Sequence, residues 1–182
     1  MITAASGGYL YYDSAQKSTF KETEKEFVER SNDLRNGIIG LISANQNIVA
    51  VMAQVERIQR ALLNQDQATF SRADKILDDL AKAFAGDIFY LMDRSGKVIA
   101  SSNRNDQDSF VGHDYSFRPY SVDAIKGRPG TYLGVGATSD LRGIYFSHPV
   151  YSTDGGKPTG TVVIKKSTRD LLFSVDSLES GT

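Results

Sequence analysis

The fold of this chain is decided by residues 88–102, which read IFYLMDRSGKVIASS. Two apolar runs flank the segment Asp93–Gly96, whose residue types (DRSG) are typical of a tight β-turn. Both runs are rich in β-branched and aromatic side chains, which favour extended strands. The stretch therefore predicts an antiparallel β-hairpin.

Three more strands are predicted downstream of the hairpin, over residues 130–136, 143–151 and 159–166. A short helix that ends at Gly127 separates them from the hairpin. Because the helices come first and the strands follow, the predicted fold class is α+β, with a five-stranded antiparallel sheet and flanking helices.

A sevenfold apolar repeat dominates the first third of the chain and predicts a single long helix over residues 14–64. The second seam of this repeat is polar near Phe27, so the N-terminal half is expected to project while the C-terminal half packs on a domain. A second helix is predicted over residues 70–84, stopped by Gly86, and a last one over residues 168–182. The repeat consists of Phe20, Phe27, Leu34, Leu41, Ile48, Val55 and Leu62.

Composition excludes several classes of function. Among the 182 residues, 21 are basic and 22 acidic, and without a basic stripe no nucleic-acid partner is predicted. The chain has no cysteine, which excludes thiol catalysis, disulfides and cysteine-ligated metal sites. His113 and His148 are far apart in sequence, and neither a metal site nor a cofactor is predicted.

Membrane-targeting signals are weak in this sequence. No stretch approaches the roughly 18 apolar residues needed to span a bilayer, and the N-terminus lacks the pattern of a signal peptide. Two alternatives follow: the chain is cytosolic, or it is a segment of a larger membrane protein.

A second informative stretch is Asp114–Tyr120, which reads DYSFRPY. An arginine beside tyrosine and serine hydroxyls supplies the donors that hold a carboxylate, with no attached base or nucleophile. Pro119 disfavours helical geometry at Arg118, which predicts a shaped loop. The competing interpretation is a structural ion pair between Arg118 and a nearby aspartate. A polar and aromatic cluster over residues 136–147 favours the ligand interpretation.

These stretches, taken in order, resemble the Cache domain, the extracytoplasmic PAS-like sensor module of bacterial transmembrane receptors. The resemblance spans residues 70–167 and is carried by the hairpin, the Phe110–Gly112 step, the DYSFRPY run, the 136–147 cluster and the strand residues 162–165. It is greatest to the membrane-distal module of C4-dicarboxylate sensor histidine kinases. The resemblance implies one small-molecule pocket on one face of the sheet, roofed by the loop and helix before the third strand.

The resemblance also implies which residues hold the ligand. The matching positions are Tyr115, Arg118, Thr138 and Lys165, and the nearby candidates are Ser116, Tyr120, Ser139, Arg142, Tyr145 and Ser147. Period-two alternation independently places Tyr145 and Ser147 on one face of their strand, and Thr161, Val163 and Lys165 on one face of the last. An inward-facing lysine is costly without a counter-charge, so a bound anion is its natural partner.

Two departures from the family pattern bear on the ligand. Ser121 stands where the family often has an aromatic residue, which enlarges or opens the predicted pocket. The run also lacks the tryptophan and the acidic residue of amino-acid-binding Cache domains, so a simple carboxylate is favoured over an amino acid.

The sequence therefore predicts a non-catalytic sensor domain, over residues 66–167, of a histidine kinase, diguanylate cyclase or chemoreceptor. Its expected location is the periplasmic or extracellular side of an inner membrane, with flanking transmembrane helices outside this chain. A homodimer through the N-terminal helix is also predicted. The alternative is a structural or dimerisation module with a vestigial pocket.

Overall fold

A computed structural model describes residues 3–84, 87–138, 142–152 and 155–168, with side chains from residue 20 onward. The chain divides into two compact units, Met1–Gly40 and Leu41–Thr182. The predicted stop at Gly86 and the final helix beyond Thr168 lie outside the described residues.

The described part of the first unit lies within helix α1 (Thr3–Ala53), which runs through Gly37 and Gly40 without interruption. From Phe20 to Gly40 nearly every side chain is exposed, including Phe20 at 74% and Phe27 at 71%. The apolar repeat is therefore uncovered within this unit. Its exposed large apolar residues are Phe20, Phe27, Val28, Leu34, Ile38 and Ile39.

The single helix predicted over residues 14–64 is wrong at its C-terminal end. Helix α1 stops at Ala53, and helix α2 (Glu56–Asn64) begins after Val55 adopts an extended conformation. No glycine or proline marks this break, so local propensity does not explain it. The change of direction buries Ile58 and Leu62 in the domain core, and the Gln59 side chain donates to the carbonyl oxygen of Ala53 at 3.2 Å.

Helix α3 (Gln67–Ala83) completes the helical layer. Asp66 caps its N-terminus by accepting a hydrogen bond from the backbone N–H of Thr69 at 2.7 Å. Arg104 ties the helix to the loop after the hairpin through a two-pronged contact with the carboxylate of Asp78.

The five predicted strands are confirmed. They are β1 (Ile88–Asp93), β2 (Val98–Ser101), β3 (Gly130–Val135), β4 (Arg142–Val150) and β5 (Gly160–Ser167). They form one antiparallel sheet in the order β2-β1-β5-β4-β3, and the short helix α4 (Pro119–Ile125) lies between β2 and β3 in sequence. The α+β fold class is confirmed.

One face of the sheet carries the main hydrophobic core. Phe89, Phe146 and Ile164 are fully buried on this face and pack with Val49 of α1 and Leu77 of α3.

By length and composition alone, the part of α1 from Phe20 to Ala53 could cross a membrane. Because Val49 and its neighbours Met52 and Ala53 are buried in this core, the C-terminal part of α1 packs as the core helix of a folded domain.

The opposite face of the sheet carries a second, aromatic cluster. Tyr90, Tyr145 and Val163 rise from the strands and pack with Phe110 and Tyr115 of the covering loop. The predicted alternation along β4 and β5 is confirmed, because Ile144 and Phe146 belong to the first face whereas Tyr145 and Val163 belong to this one. The aromatic face is where the candidate site lies.

Candidate ligand-binding site

Arg118 is positioned by the start of helix α4. It is the N-cap residue of that helix, with an extended backbone (φ −72°, ψ 137°), and Pro119 occupies the first helical position. This confirms the predicted non-helical geometry of Arg118. Its guanidinium Nη2 donates to the carbonyl oxygen of Val135 at 2.9 Å, and its Cζ lies 5.3 Å from the centre of the Phe117 ring. The fork is thus anchored between the roof of the site and the end of β3.

A small pocket opens between this arginine and the aromatic face. Its cavity volume is about 10 Å³. That is room for about one water molecule. The pocket is lined by Phe110, Tyr115, Arg118, Tyr120, Gly136, Ala137, Thr138 and Tyr145.

Two hydroxyl groups close the pocket over its polar end. The phenolic oxygen of Tyr115 and Oγ1 of Thr138 share a hydrogen bond of 2.6 Å. Burial raises the pKa of Tyr115, and the hydrogen bond to Thr138 opposes that rise. Tyr115 therefore stays a neutral phenol at physiological pH, and it can donate to a carboxylate oxygen once it releases Thr138.

Stacked tyrosines form the wall of the pocket. Tyr120 and Tyr145 lie face to face with ring centroids 5.0 Å apart, and the hydroxyl of Tyr90 donates to that of Tyr120 at 2.8 Å. Burial raises the pKa of all three phenols. Ser147 Oγ donates to the backbone carbonyl of Tyr120 at 2.9 Å, which fixes α4 on the sheet.

Lys165 supplies the second positive charge on this face. Its side chain is 5% exposed, it pairs across the sheet with Tyr145, and its Nζ lies 5.1 Å from the centre of the Phe110 ring. Burial lowers the pKa of Lys165, the charge of Asp108 opposes this shift, and the charge of Arg118 adds to it. The two cations are therefore close enough to repel each other.

The structure brings most of the predicted residues together. Tyr115, Arg118, Tyr120, Thr138 and Tyr145 line the pocket, and Lys165 and Ser147 lie on the same face of the sheet. Two candidates lie elsewhere. The side chain of Ser116 is exposed beside the turn at Gly96, and the exposed Arg142 begins β4. Ser139 lies outside the described residues.

Sequence reasoning missed two contributors to the site. Phe110 lines the pocket and packs edge-on against Tyr90 and Tyr115. Asp108, in the same loop, acts electrostatically on Lys165 and Tyr115. The only signal in the sequence was the Phe110–Gly112 step of the family pattern, because the loop has no periodicity that would point a side chain inward.

The chain is similar to known sensor proteins, although no family model matches it. It is 34% identical over 126 residues to the C4-dicarboxylate transport sensor protein DctB of Rhizobium meliloti strain 1021. That alignment covers 69% of this chain and 20% of the relative, so the chain spans about a fifth of the length of that curated protein.

Solved structures show the same architecture. The sensor domain of the Vibrio cholerae histidine kinase DctB matches with a TM-score of 0.74 at 26% identity, over 85% of this chain and 58% of that one. The ligand-binding domain of the Campylobacter jejuni chemoreceptor Tlp3, solved with L-valine, matches in fold with a TM-score of 0.69 at 16% identity, over 87% and 65% of the two chains. This chain is homologous to the C4-dicarboxylate transport sensor proteins, and its five-stranded domain is a Cache, or PAS-like, sensor domain.

Proposed function

We propose that this chain is the extracytoplasmic sensor domain of a bacterial membrane receptor and that it binds a small dicarboxylate between Arg118 and Lys165. One carboxylate takes the guanidinium fork of Arg118 with the hydroxyls of Tyr115 and Thr138. The other carboxylate takes the ammonium of Lys165. The tyrosine wall, Tyr120 and Tyr145, packs against the carbon chain between them.

The observation that carries the proposal is the convergence of two cations on one buried aromatic face. Lys165 is 5% exposed, and the nearby charge of Arg118 works against its protonation. A bound dicarboxylate removes the electrostatic cost of holding these two cations close together, because it places one negative charge beside each of them. The 34% identity to a C4-dicarboxylate transport sensor protein supports the same ligand class.

The pocket must widen for this ligand to enter. Its polar groups bond to one another, with Tyr115 on Thr138 and Arg118 on Val135, and they leave room for about one water molecule. A carboxylate accepts hydrogen bonds from the same groups, so it replaces these internal contacts rather than adding to them. Ligand binding thereby moves the loop that carries Thr138 relative to α4, and this displacement is the proposed signal.

The division into an N-terminal helical stalk segment (14–64, in which α1 is followed by α2), a sensor domain (66–167) and an exit helix (168–182) belongs to the same proposal. Transmembrane helices outside this chain would anchor both ends in an inner membrane, and a kinase, cyclase or chemotaxis output would follow. The sensor domain itself is proposed to be non-catalytic.

Calorimetric titration with succinate, butyrate and L-valine tests the ligand class. We expect heat of binding with succinate, weaker binding with the monocarboxylate butyrate, and none with L-valine. Arg118→Ala is expected to lower succinate affinity at least about thirtyfold, since removing one partner of a buried charge pair costs about 2–5 kcal/mol. Circular dichroism confirms that the variant is folded.

Arg142→Ala is the matched control, because it removes an exposed arginine that does not line the pocket. We expect this variant to bind succinate as the parent does. If no organic acid binds and none shifts the melting temperature, the pocket is vestigial. The alternative function, a dimerisation module that uses the exposed apolar stripe of α1, then takes its place.

A further inference from the structure

The loop that covers the aromatic face is attached to the outer edge of strand β2, the first strand in the sheet order. The backbone N–H of Val98 donates to the carbonyl oxygen of His113, and the N–H of Gly112 donates to that of Val98, both at 2.9 Å. Next to this pair, Lys97 forms an isolated antiparallel bridge with Asp114. The loop therefore extends the sheet beyond its edge strand, as a short additional strand would.

The turn of the hairpin bonds directly to the run that contains the proposed ligand-binding residues. The backbone N–H of Tyr115 donates to the carbonyl oxygen of Gly96 at 2.9 Å. The carbonyl oxygen of Tyr115 in turn accepts the backbone N–H of Arg118 at 3.0 Å. A continuous path of main-chain hydrogen bonds thus leads from the turn to the two residues that are proposed to hold one carboxylate.

The contact point between the turn and the loop leaves no room for a side chain on Gly96. This residue is buried and has a φ of +90°, a conformation that favours glycine. A Cβ atom on it would lie 2.5 Å from Cα and 2.6 Å from the backbone nitrogen of Ser116. Because these are backbone atoms, a larger residue would have to displace the segment between Tyr115 and Arg118.

The carboxylate of Asp93 holds the turn in shape. Its Oδ1 accepts the backbone N–H of Ser95 at 2.8 Å and the hydroxyl of Ser95 at 2.6 Å. The same oxygen accepts the backbone N–H of Lys97 at 3.1 Å. In the main chain, the N–H of Gly96 donates to the carbonyl oxygen of Asp93 at 3.0 Å. These bonds fix the conformation in which the carbonyl oxygen of Gly96 meets the loop.

We propose that Gly96 is a positioning residue for the ligand-binding site and acts by holding the backbone of Tyr115 against the hairpin turn. Tyr115 is 5% exposed and its hydroxyl reaches Thr138, so a shift of its backbone moves one polar group of the pocket relative to the other. The inference rests on the proposed function, in which Tyr115 and Arg118 hold one carboxylate. The turn, which does not line the pocket, then determines where that carboxylate binds.

Gly96→Ala tests this role, and Gly156→Ala is its matched control. Gly156 lies in the loop between β4 and β5 with a φ of +96°, and a Cβ atom there would meet no other heavy atom within 4 Å. Both variants therefore carry the same kind of backbone strain, but only Gly96→Ala adds the clash with Ser116.

We expect calorimetry to show succinate binding weakened at least about tenfold by Gly96→Ala and less than about twofold by Gly156→Ala. Unchanged binding in Gly96→Ala, or an equal loss in both variants, overturns the proposal.

A second readout needs no ligand and separates a local shift from general loosening. Tetranitromethane nitrates accessible tyrosines, and peptide mass spectrometry identifies which ones have reacted. We expect Tyr115 to react several-fold faster in Gly96→Ala than in the parent chain, whereas Tyr90, which is fully buried on β1, keeps its parent rate. Equal acceleration at both tyrosines would indicate general loosening and would overturn the positioning role.

Asp93 provides a test that does not depend on the folding of Gly96→Ala. Asp93→Ala removes the acceptor that shapes the turn, so we expect weaker succinate binding and faster nitration of Tyr115. Asp93→Asn keeps an oxygen that accepts the same N–H groups, and it should restore both properties to parent values. An alanine variant that behaves as the parent in both assays overturns the proposal. If the parent chain binds no succinate but the nitration rates change as expected, the ligand class is wrong and the positioning of Tyr115 by the turn stands.

Discussion

Lys165 is the residue whose protonation should control the affinity for a dicarboxylate. Burial lowers its pKa below the ordinary value of 10.5, so the folded protein releases this proton at a lower pH than the unfolded chain does. At a pH between the folded-state and the unfolded-state pKa of Lys165, the unfolded chain binds more protons than the folded protein does. The free energy cost of burying the ammonium therefore disappears as the pH rises through that window. A bound carboxylate acts on Lys165 in the opposite direction to burial, because it stabilises the protonated ammonium form.

We therefore predict that succinate affinity is full where Lys165 is protonated and falls as the pH rises through its lowered pKa, by up to about tenfold per pH unit. The phenols of Tyr115 and Tyr145 remain neutral there because burial raises their pKa values. Calorimetry from neutral pH to 10.5 measures the effect. Lys165→Arg, which keeps its charge, should flatten the profile, and an equally steep profile in that variant would assign the titration to another group.

At this scale the sequence predicts the residues that lie in a motif and misses those that lie in a loop. Arg118 was predicted from its run of donors beside Pro119 and Thr138 from the family resemblance, and both line the pocket. Asp108 and Phe110 were missed because their placement depends on a buried hydrogen bond from Asn103, which only the folded chain creates. Arg142 was included because it is close in sequence to Thr138, but it begins an exposed strand end.

Among the elements, helix α2 and strand β5 pack closely together at Gly160. A Cβ atom at this position would lie 2.3 Å from the carbonyl oxygen of Met92 and 2.5 Å from Cδ2 of Leu62. We predict that Gly160→Ala lowers the free energy of unfolding by about 1–3 kcal/mol, because backbone and core must both shift. Chemical denaturation measures the change.

Gly40→Ala is the matched control for this substitution. A Cβ atom at Gly40 would meet no other heavy atom within 4 Å, and the residue lies inside helix α1. We expect this variant to gain about 0.5–1 kcal/mol, since alanine restricts the unfolded chain and favours the helix. Similar losses for both variants would mean that the contact between α2 and β5 is looser than its geometry indicates.

The side chain of Gln46 bonds helix α1 to the edge of the sheet. Gln46 Nε2 donates to the carbonyl oxygen of Gly130 at 2.7 Å and lies 2.8 Å from Oγ1 of Thr131. We predict that Gln46→Ala costs about 0.5–1.5 kcal/mol of unfolding free energy, whereas alanine at the exposed neighbour Asn47 costs much less. Equal melting temperatures for the two variants would contradict this role. The contact adjoins the candidate site, because a Cβ atom at Gly130 would lie only 3.0 Å from Cα of Tyr120.

The strands were predictable and the helix boundary was not, for a physical reason. Alternation along β4 and β5 is a local property, since one face meets the helices and the other meets the aromatic loop. The break at Gln54 and Val55 follows instead from the gain of burying Ile58 and Leu62, which no local signal records. Tertiary packing overrode a continuous heptad pattern there.

At the scale of the whole molecule, the apolar stripe of α1 is exposed from Phe20 to Leu34. Phe20 and Phe27 are 74% and 71% exposed, and the heptad spacing continues through Leu34. We expect a parallel pair of such helices to bury the stripe, as the proposed membrane-anchored receptor would require. The polar second seam at Glu24, Arg30 and Ser31 keeps the buried area small, so the contact is expected to be weak.

We predict that sedimentation equilibrium shows a concentration-dependent monomer–dimer mixture for the parent chain. Replacing Phe20 and Phe27 with glutamate should leave only monomer, because two like charges would face their copies across the seam. Leu63→Glu is the matched control, since it removes an exposed apolar residue of helix α2 that lies off the stripe. A parent chain that stays monomeric up to millimolar concentration, or a control that dissociates as fully as the double variant, would place any receptor dimer contact outside this stripe.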